Sequence, residues 1–160
     1  MAVASRIDVI AVGKLKEGFW VDACAEYRKR LSRYTTLEVH EVPDRAARSN
    51  AERELALAAE ASGLRQRIAP GSQLIVLDSA GTQLTSEGIA TLLRDLQDAG
   101  TRRLSFVIGG SWGVEDSLKQ EADLLLSFGA ITLPHNLARV VLLEQLYRAF
   151  RIIAGEPYHK

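Results

Sequence analysis

Along the chain, short apolar runs alternate with longer stretches whose apolar residues recur every three or four positions, the spacings of strand and helix. Ile7 to Val12 predicts a first strand closed by Gly13, and a helix follows from about Glu17 to Arg33. Thr36 to Val42, with Leu37 and Val39 alternating and Val42 ahead of Pro43, predicts a second strand. Ser49 to Arg67 is rich in Ala, Glu, Arg and Leu and reads as helix, broken by Pro70-Gly71. Leu74 to Leu77 is a third, wholly apolar strand. Thr85-Ser86-Glu87 offers an N-cap and an acidic first turn to a helix ending near Ala99-Gly100. Leu104 to Ile108 predicts a fourth strand running into Gly109-Gly110-Ser111-Trp112-Gly113, and a short helix from about Val114 to Ala122 leads to a fifth, Leu124 to Phe128. A long helix from Pro134 to about Ala154, stopped by Gly155 and Pro157, closes the chain. Strands alternating with helices predict a mostly parallel sheet covered on both faces, in one α/β domain over residues 1–160.

The last helix is apolar nearly all round. Leu142, Leu146, Phe150 and Ile153 share one stripe, Val141 and Ile152 lie well off it, and Leu143 and Tyr147 occupy another side. Burial on more than one side predicts a two-fold homodimer. The alternative is burial between the sheet and another helix of the same chain.

Composition sets the class. The chain has 160 residues, is 47% apolar and 25% charged, and so has the make-up of a globular domain with a real core. Twenty Lys and Arg balance twenty Asp and Glu, so recognition of naked nucleic acid through net positive charge is not expected. Cys24, the single cysteine, cannot form an internal disulfide and reads as core filler in a reducing compartment. The start lacks the apolar stretch of a secretory signal, and no run approaches the ~20 apolar residues of a membrane span. The expectation is a cytoplasmic protein with no membrane partner.

Three segments carry candidate chemistry. Gly109-Gly110-Ser111-Trp112-Gly113 joins a strand to a helix and lets a ligand approach the backbone, but it is neither G-x-G-x-x-G nor a P-loop. Phe128-Gly129-Ala130-Ile131-Thr132-Leu133-Pro134-His135 suits a loop around a flat ligand such as adenine, or a plain connection with Pro134 opening the helix. On that helix His135 and Arg139 share a face, while Glu144, Arg148 and Arg151 lie roughly opposite. The tail Gly155-Glu156-Pro157-Tyr158-His159-Lys160 ends in a stacking ring, an imidazole and an ammonium, or is merely a frayed end. His40, His135 and His159 lie far apart in sequence and no Cys–His set exists, so no metal is expected. A G-x-S-x-G elbow for a hydrolase triad is absent.

Leu133-Pro134-His135, Leu137-Ala138-Arg139-Val140, Leu143-Glu144-Gln145-Leu146-Tyr147-Arg148-Ala149-Phe150 and the ending Gly155-Glu156-Pro157-Tyr158-His159-Lys160 together resemble the C-terminal signature of the bacterial RlmH family. These are large-subunit ribosomal RNA methyltransferases of the SPOUT superfamily. Ala11-Val12-Gly13-Lys14-Leu15-Lys16-Glu17, Glu26-Tyr27 through Arg30-Leu31, and Phe106-Val107-Ile108-Gly109-Gly110-Ser111 extend the resemblance over essentially the whole chain.

The resemblance implies a SPOUT-type sheet with a C-terminal trefoil knot, an exception to unknotted folds, and a homodimer. It implies methyl transfer from S-adenosyl-L-methionine to N3 of a pseudouridine in 23S rRNA of the assembled 70S ribosome, where an extended docking surface replaces net charge. Carried over by residue, Leu77 and Gly109 are cofactor contacts, and Phe128, Gly129, Ala130, Ile131, Thr132 and Leu133 form the loop enclosing the cofactor. His159 is the assisting base, Tyr158 the stacking or orienting group, and Arg139 and Arg148 hold RNA phosphates. His135 is the alternative base. Trp112 departs from a smaller polar residue and puts the glycine loop's shape in question, while Gly129-Ala130 is expected to loosen the cofactor loop. The rival readings are a non-catalytic ribosome-associated factor and a nucleotide-sensing module. The intact loops and tail favour catalysis.

Overall fold

The computed structural model describes residues 6–158. Five strands, β1 (Arg6–Val12), β2 (Thr36–Val42), β3 (Gln73–Gln83), β4 (Arg103–Ile108) and β5 (Leu124–Ser127), form one sheet in the order β2-β1-β4-β3-β5. All four pairings are parallel. Five helices connect them: α1 (Gly18–Leu31), α2 (Asn50–Arg67), α3 (Ser86–Asp98), α4 (Asp116–Glu121) and α5 (His135–Ile153).

Because side chains alternate along a strand, each strand feeds two cores. Ile7, Val9, Ile75 and Phe106 point to one face and pack with Leu93 of α3 and Leu142, Leu143 and Leu146 of α5. Ile10, Val76 and Val107 point to the other and pack with Leu64 of α2 and Leu118 of α4. Helices on both faces explain why the strands read as nearly continuous apolar runs. Thr85 caps α3 as predicted, its Oγ1 accepting from Gly88 N at 2.9 Å, and Ser49 caps α2 through Glu52 N at 3.2 Å.

Two features depart from expectation. Leu142, Leu143 and Leu146 are already buried within one chain, where α5 packs against both α1 and α3. Burial inside the same chain therefore accounts for these three leucines, while Ile152, off the stripe, stays exposed. Strand β3 also runs past Leu77, the predicted end, to Gln83. Its pairing with β5 breaks between Leu77 and Thr82, both of which face Leu126, so Asp78-Ser79-Ala80-Gly81 is pushed out as a bulge. Gly81 is needed there, since a Cβ on it would lie 2.6 Å from the Leu125 carbonyl.

Candidate functional site

The strands are parallel, so their C-terminal ends form one rim, the usual ligand-binding edge of such sheets. Outside the ends of β3, β4 and β5 lies a cleft of about 440 Å³. Leu77 and the β3 bulge supply one wall, and Ile108, Gly109, Gly110, Ser111 and Gly113 supply a second. Leu126, Phe128, Gly129, Ile131, Thr132 and Leu133 close the third, and Pro134 with His135 and Ala138 of α5 lines the remainder. Seven of the eight cofactor residues carried over from the resemblance thus meet at one place. Ala130 is exposed and does not line the cleft.

The local sequence makes this shape. A Cβ on Gly109 would fall 2.5 Å from the Gly113 carbonyl oxygen and 2.8 Å from Val114 Cγ2, so only glycine allows the loop to fold back on itself. Trp112 turns away from the cleft, with the Arg53 guanidinium 5.1 Å from its ring centre, so its bulk leaves the loop open. Gly129 adopts φ +113, a left-handed value that favours glycine. Buried Ser127 ties this turn down: its Oγ accepts from Gly129 N at 3.0 Å and donates to the Ser79 carbonyl at 3.0 Å. The expected loosening at Gly129-Ala130 is therefore countered by Ser127.

The cleft suits S-adenosyl-L-methionine. Its volume is that of a small-molecule site, its walls are apolar enough for an adenine ring, and the folded-back Gly109–Gly113 loop brings backbone to its lining. Asp78 on its rim, paired with Lys119 Nζ at 3.3 Å, adds a carboxylate near a ligand that carries a sulfonium.

The remaining candidates separate. His135 lines the cleft, and a Cβ on Gly13 would stand 3.1 Å from its Nε2. Arg139 does not meet solvent, which corrects its assignment to RNA phosphates. It is 3% exposed, and its guanidinium donates to Glu41 Oε2 at 2.7 Å and to the Gly13 carbonyl at 3.1 Å. This arginine holds the loop after β1 against α5. Tyr158 sits beside the middle of α5 instead of the cleft: its hydroxyl donates to Glu144 Oε2 at 2.6 Å, and Arg148 Cζ lies 3.7 Å from its ring centre. Arg148 also pairs with Glu144 at 3.1 Å, so the two form one cluster with the tail. Burial and then the Glu144 hydrogen bond push the Tyr158 hydroxyl up to about 12, so it stays protonated. Glu156, bonded by Tyr34 at 2.9 Å and Arg151 at 2.8 Å, anchors the preceding turn. His159 and Lys160 lie outside the described residues.

Folding also assembled a group that spacing concealed. Asp8, Glu38 and His40 offer ligand atoms within 4.8 Å of one another at the opposite rim. Arg103 Nε already donates to Asp8 Oδ2 at 2.7 Å and Arg6 lies 3.4 Å from Oδ1, so cations of the chain itself neutralise this carboxylate. Sequence reading also missed Glu60, a buried carboxylate of α2 beneath the glycine loop, although it shares a four-residue spacing with buried Ala56 and Leu64.

The family model described as "Predicted SPOUT methyltransferase" matches residues 5–159. Proteins called "Ribosomal RNA large subunit methyltransferase H" from Streptococcus equi subsp. zooepidemicus and Streptococcus equi subsp. equi are each 45% identical, over 97% of this chain and 99% of theirs. Among solved structures, a probable methyltransferase from Bordetella pertussis Tohama I aligns with TM-score 0.58 at 16% identity, over 91% of this chain and 95% of its own. A probable methylase family protein from Haemophilus influenzae Rd KW20 gives TM-score 0.58 at 14% identity, over 97% of this chain and 69% of its own, and both share the fold. With a matching family model over nearly every residue and full-length relatives at this identity, the chain belongs to the SPOUT methyltransferase family, in its large-subunit rRNA methyltransferase H branch.

Proposed function

We propose that this protein uses S-adenosyl-L-methionine to methylate N3 of a pseudouridine in 23S rRNA within the assembled 70S ribosome. The observation that carries the reading is the convergence of Leu77, Gly109 and the Phe128–Leu133 segment on one cleft, with His135 on its wall. When bound, the cofactor supplies an electrophilic methyl group. What remains for the chain is to hold N3 in line and to take its proton as the new C–N bond forms. His159 is the proposed proton acceptor and His135 the alternative. Tyr158, protonated and held by Glu144, orients the tail instead of taking the proton.

The working form is proposed to be a homodimer of one-domain subunits in the cytoplasm. What supports a dimer is the place of Tyr158, bonded to Glu144, nine residues along α5 from His135, or about 14 Å of helix. A tail rooted there serves a cleft more readily across a two-fold axis than within its own chain. The C-terminal part is proposed to be knotted. Insertion of β4 between β1 and β3, with β5 paired to the far side of β3, supports that path. Among the described residues no helix is long and apolar enough to cross a membrane.

Methyl transfer from labelled cofactor to 70S ribosomes lacking the modification, set beside protein-free 23S rRNA, tests the reading. The zero net charge gives little grip on naked RNA, so ribosomes should be far the better substrate, with the label at N3 of one pseudouridine. Equal rates on both substrates, or label at another atom, would overturn it. Native mass spectrometry of the same protein should show a dimer that takes up the cofactor.

A further inference from the structure

Beneath the glycine loop, Glu60 of α2 is 3% exposed, and only one of its two carboxylate oxygens is engaged. Oε2 accepts from Arg45 N at 2.9 Å, in the segment between β2 and α2, while Oε1 has no partner. That free oxygen faces the loop: a Cβ on Gly110 would stand 3.7 Å from Oε1 and 2.9 Å from Val12 Cγ1. A buried, half-used carboxylate costs stability that an apolar side chain at the same place would not, so it calls for a reason. A second link points the same way, since Arg53, two turns earlier on α2, lies over Trp112 of the same loop. Helix α2 thus grips the glycine loop from below at Gly110 and from outside at Trp112.

Resting on the reading of the cleft as the cofactor site, we propose that Glu60 is a positioning residue. Its free Oε1 is the hydrogen-bond acceptor on which the Gly109–Gly113 backbone settles in its cofactor-binding form. Glu60 does not touch the cofactor. It acts through Gly110, and because Oε2 holds Arg45 N, it also ties the segment after β2 to the loop. The charged groups facing it are Asp44 and Arg45 of that segment, while Val12 of β1 and Gly110 bring none. Burial, with Asp44 adding to it, pushes the Glu60 carboxyl up. Protonation turns the acceptor into a donor, so cofactor affinity should weaken as pH falls through the raised value.

The test compares wild type, Glu60→Gln and Glu60→Ala, full chain, by calorimetric titration with S-adenosyl-L-methionine from pH 5 to 8 and by amide exchange without ligand. Glu60→Ala should weaken binding at least ~10-fold at pH 8 and speed exchange at residues 109–113, with strand 73–77 unchanged. Glu60→Gln, which mimics the protonated acid with one acceptor oxygen and one donor, should bind at pH 8 as weakly as wild type does at low pH and show no further weakening as pH falls. Normal affinity and normal loop exchange in Glu60→Ala would overturn the proposal, leaving Glu60 a space-filler or the seat of a water. Should Glu60→Ala fail to fold, a Glu60→Gln profile that follows wild type at every pH would overturn it equally. Wild type that binds no cofactor would instead sink the cofactor reading, while unliganded loop exchange would still report on Glu60.

Discussion

Where the strands begin, Asp8 is fully buried, and both of its oxygens are taken, Oδ1 by His40 at 3.0 Å and Oδ2 by Arg103 at 2.7 Å. Where the strands finish, the walls are apolar side chains and glycine backbone, and the nearest buried carboxylate, Glu60, keeps one oxygen free. Both rims concentrate polar groups around one sheet, yet they behave oppositely. The Asp8 cluster closes on itself, each charge answered by a neighbour, which is how a buried ion is tolerated. The cleft is left open to a ligand, and the unpartnered oxygen of Glu60 lies beneath its glycine wall. An acid, a histidine and a second acid within reach of one another are therefore weaker evidence of function than a glycine loop that walls a cleft at the ends of parallel strands.

The sharpest way to break the comparison is to force the glycine loop out of its fold. Gly109→Val places atoms where the Gly113 carbonyl and Val114 already stand, so cofactor binding should vanish in calorimetry, and methyl transfer to ribosomes should fall at least ~10²-fold. Circular dichroism should still show an α/β fold. Near-normal cofactor affinity in this variant would mean the ligand lies elsewhere. Next in size is deletion of residues 158–160, of which Tyr158 stands beside the middle of α5 and apart from both rims. Methyl transfer should drop at least ~10²-fold, the low end for a positioned acid–base group, while cofactor affinity stays within a few-fold. A normal rate would reduce the tail to a frayed end and pass the proton to His135.

At the other rim the effect should be on stability alone. Asp8 suffers desolvation, which raises its pKa, but the hydrogen bonds and charges of Arg103, His40 and Arg6 outweigh it and hold the carboxyl below its ordinary 3.8. A depressed folded-state pKa contributes stability above the unfolded value, and that contribution is lost as pH falls through the folded one. Wild type should therefore lose stability below about pH 4, and Asp8→Asn should flatten that part of the profile. At pH 7 Asp8→Asn should lower the melting temperature by several degrees, for about 1–3 kcal/mol lost, with methyl transfer per folded molecule unchanged. A selective loss of activity would show that this rim, too, serves the reaction.

Much of the fold was legible because it follows from periodicity. Alternating apolar runs and amphipathic stretches placed all ten elements, and Thr85 marked its helix start through cap chemistry. Most of the residues that line the cleft were legible through motif resemblance, and the rim they share follows from parallel strands ending together. What stayed hidden depends on pairs distant in sequence. Arg139 looked like a surface cation until Glu41, 98 residues away, and the Gly13 carbonyl closed over it. The β3 bulge was invisible because polar, glycine-containing Asp78–Gly81 reads as the end of a strand, and only β5 re-pairs the chain beyond it. Glu60 did leave a trace, a carboxylate in line with Ala56 and Leu64, but helix spacing cannot say what lies under that face.

The smallest expected effect asks to which rim the tail is kin. Tyr158 resembles Asp8 in having its polar atom satisfied, the hydroxyl donating to Glu144, while the tail it belongs to is proposed to serve the cleft. Tyr158→Phe removes the hydrogen bond and keeps the ring beside Arg148, so it should cost about 0.5–1.5 kcal/mol of stability and less than ~3-fold in methyl transfer. The sign of the pH dependence follows from the raised value of about 12: the hydroxyl's contribution is whole below the ordinary 10 and is lost as pH climbs through 12. The wild-type rate profile should accordingly show no limb from tyrosine ionisation below about pH 10. Should Tyr158→Phe lose as much activity as deletion of the tail, the hydroxyl itself takes part in the chemistry and belongs with the cleft. A loss confined to stability leaves the ring and His159 as the tail's working parts, with Glu144 and Arg148 as the clamp that aims them.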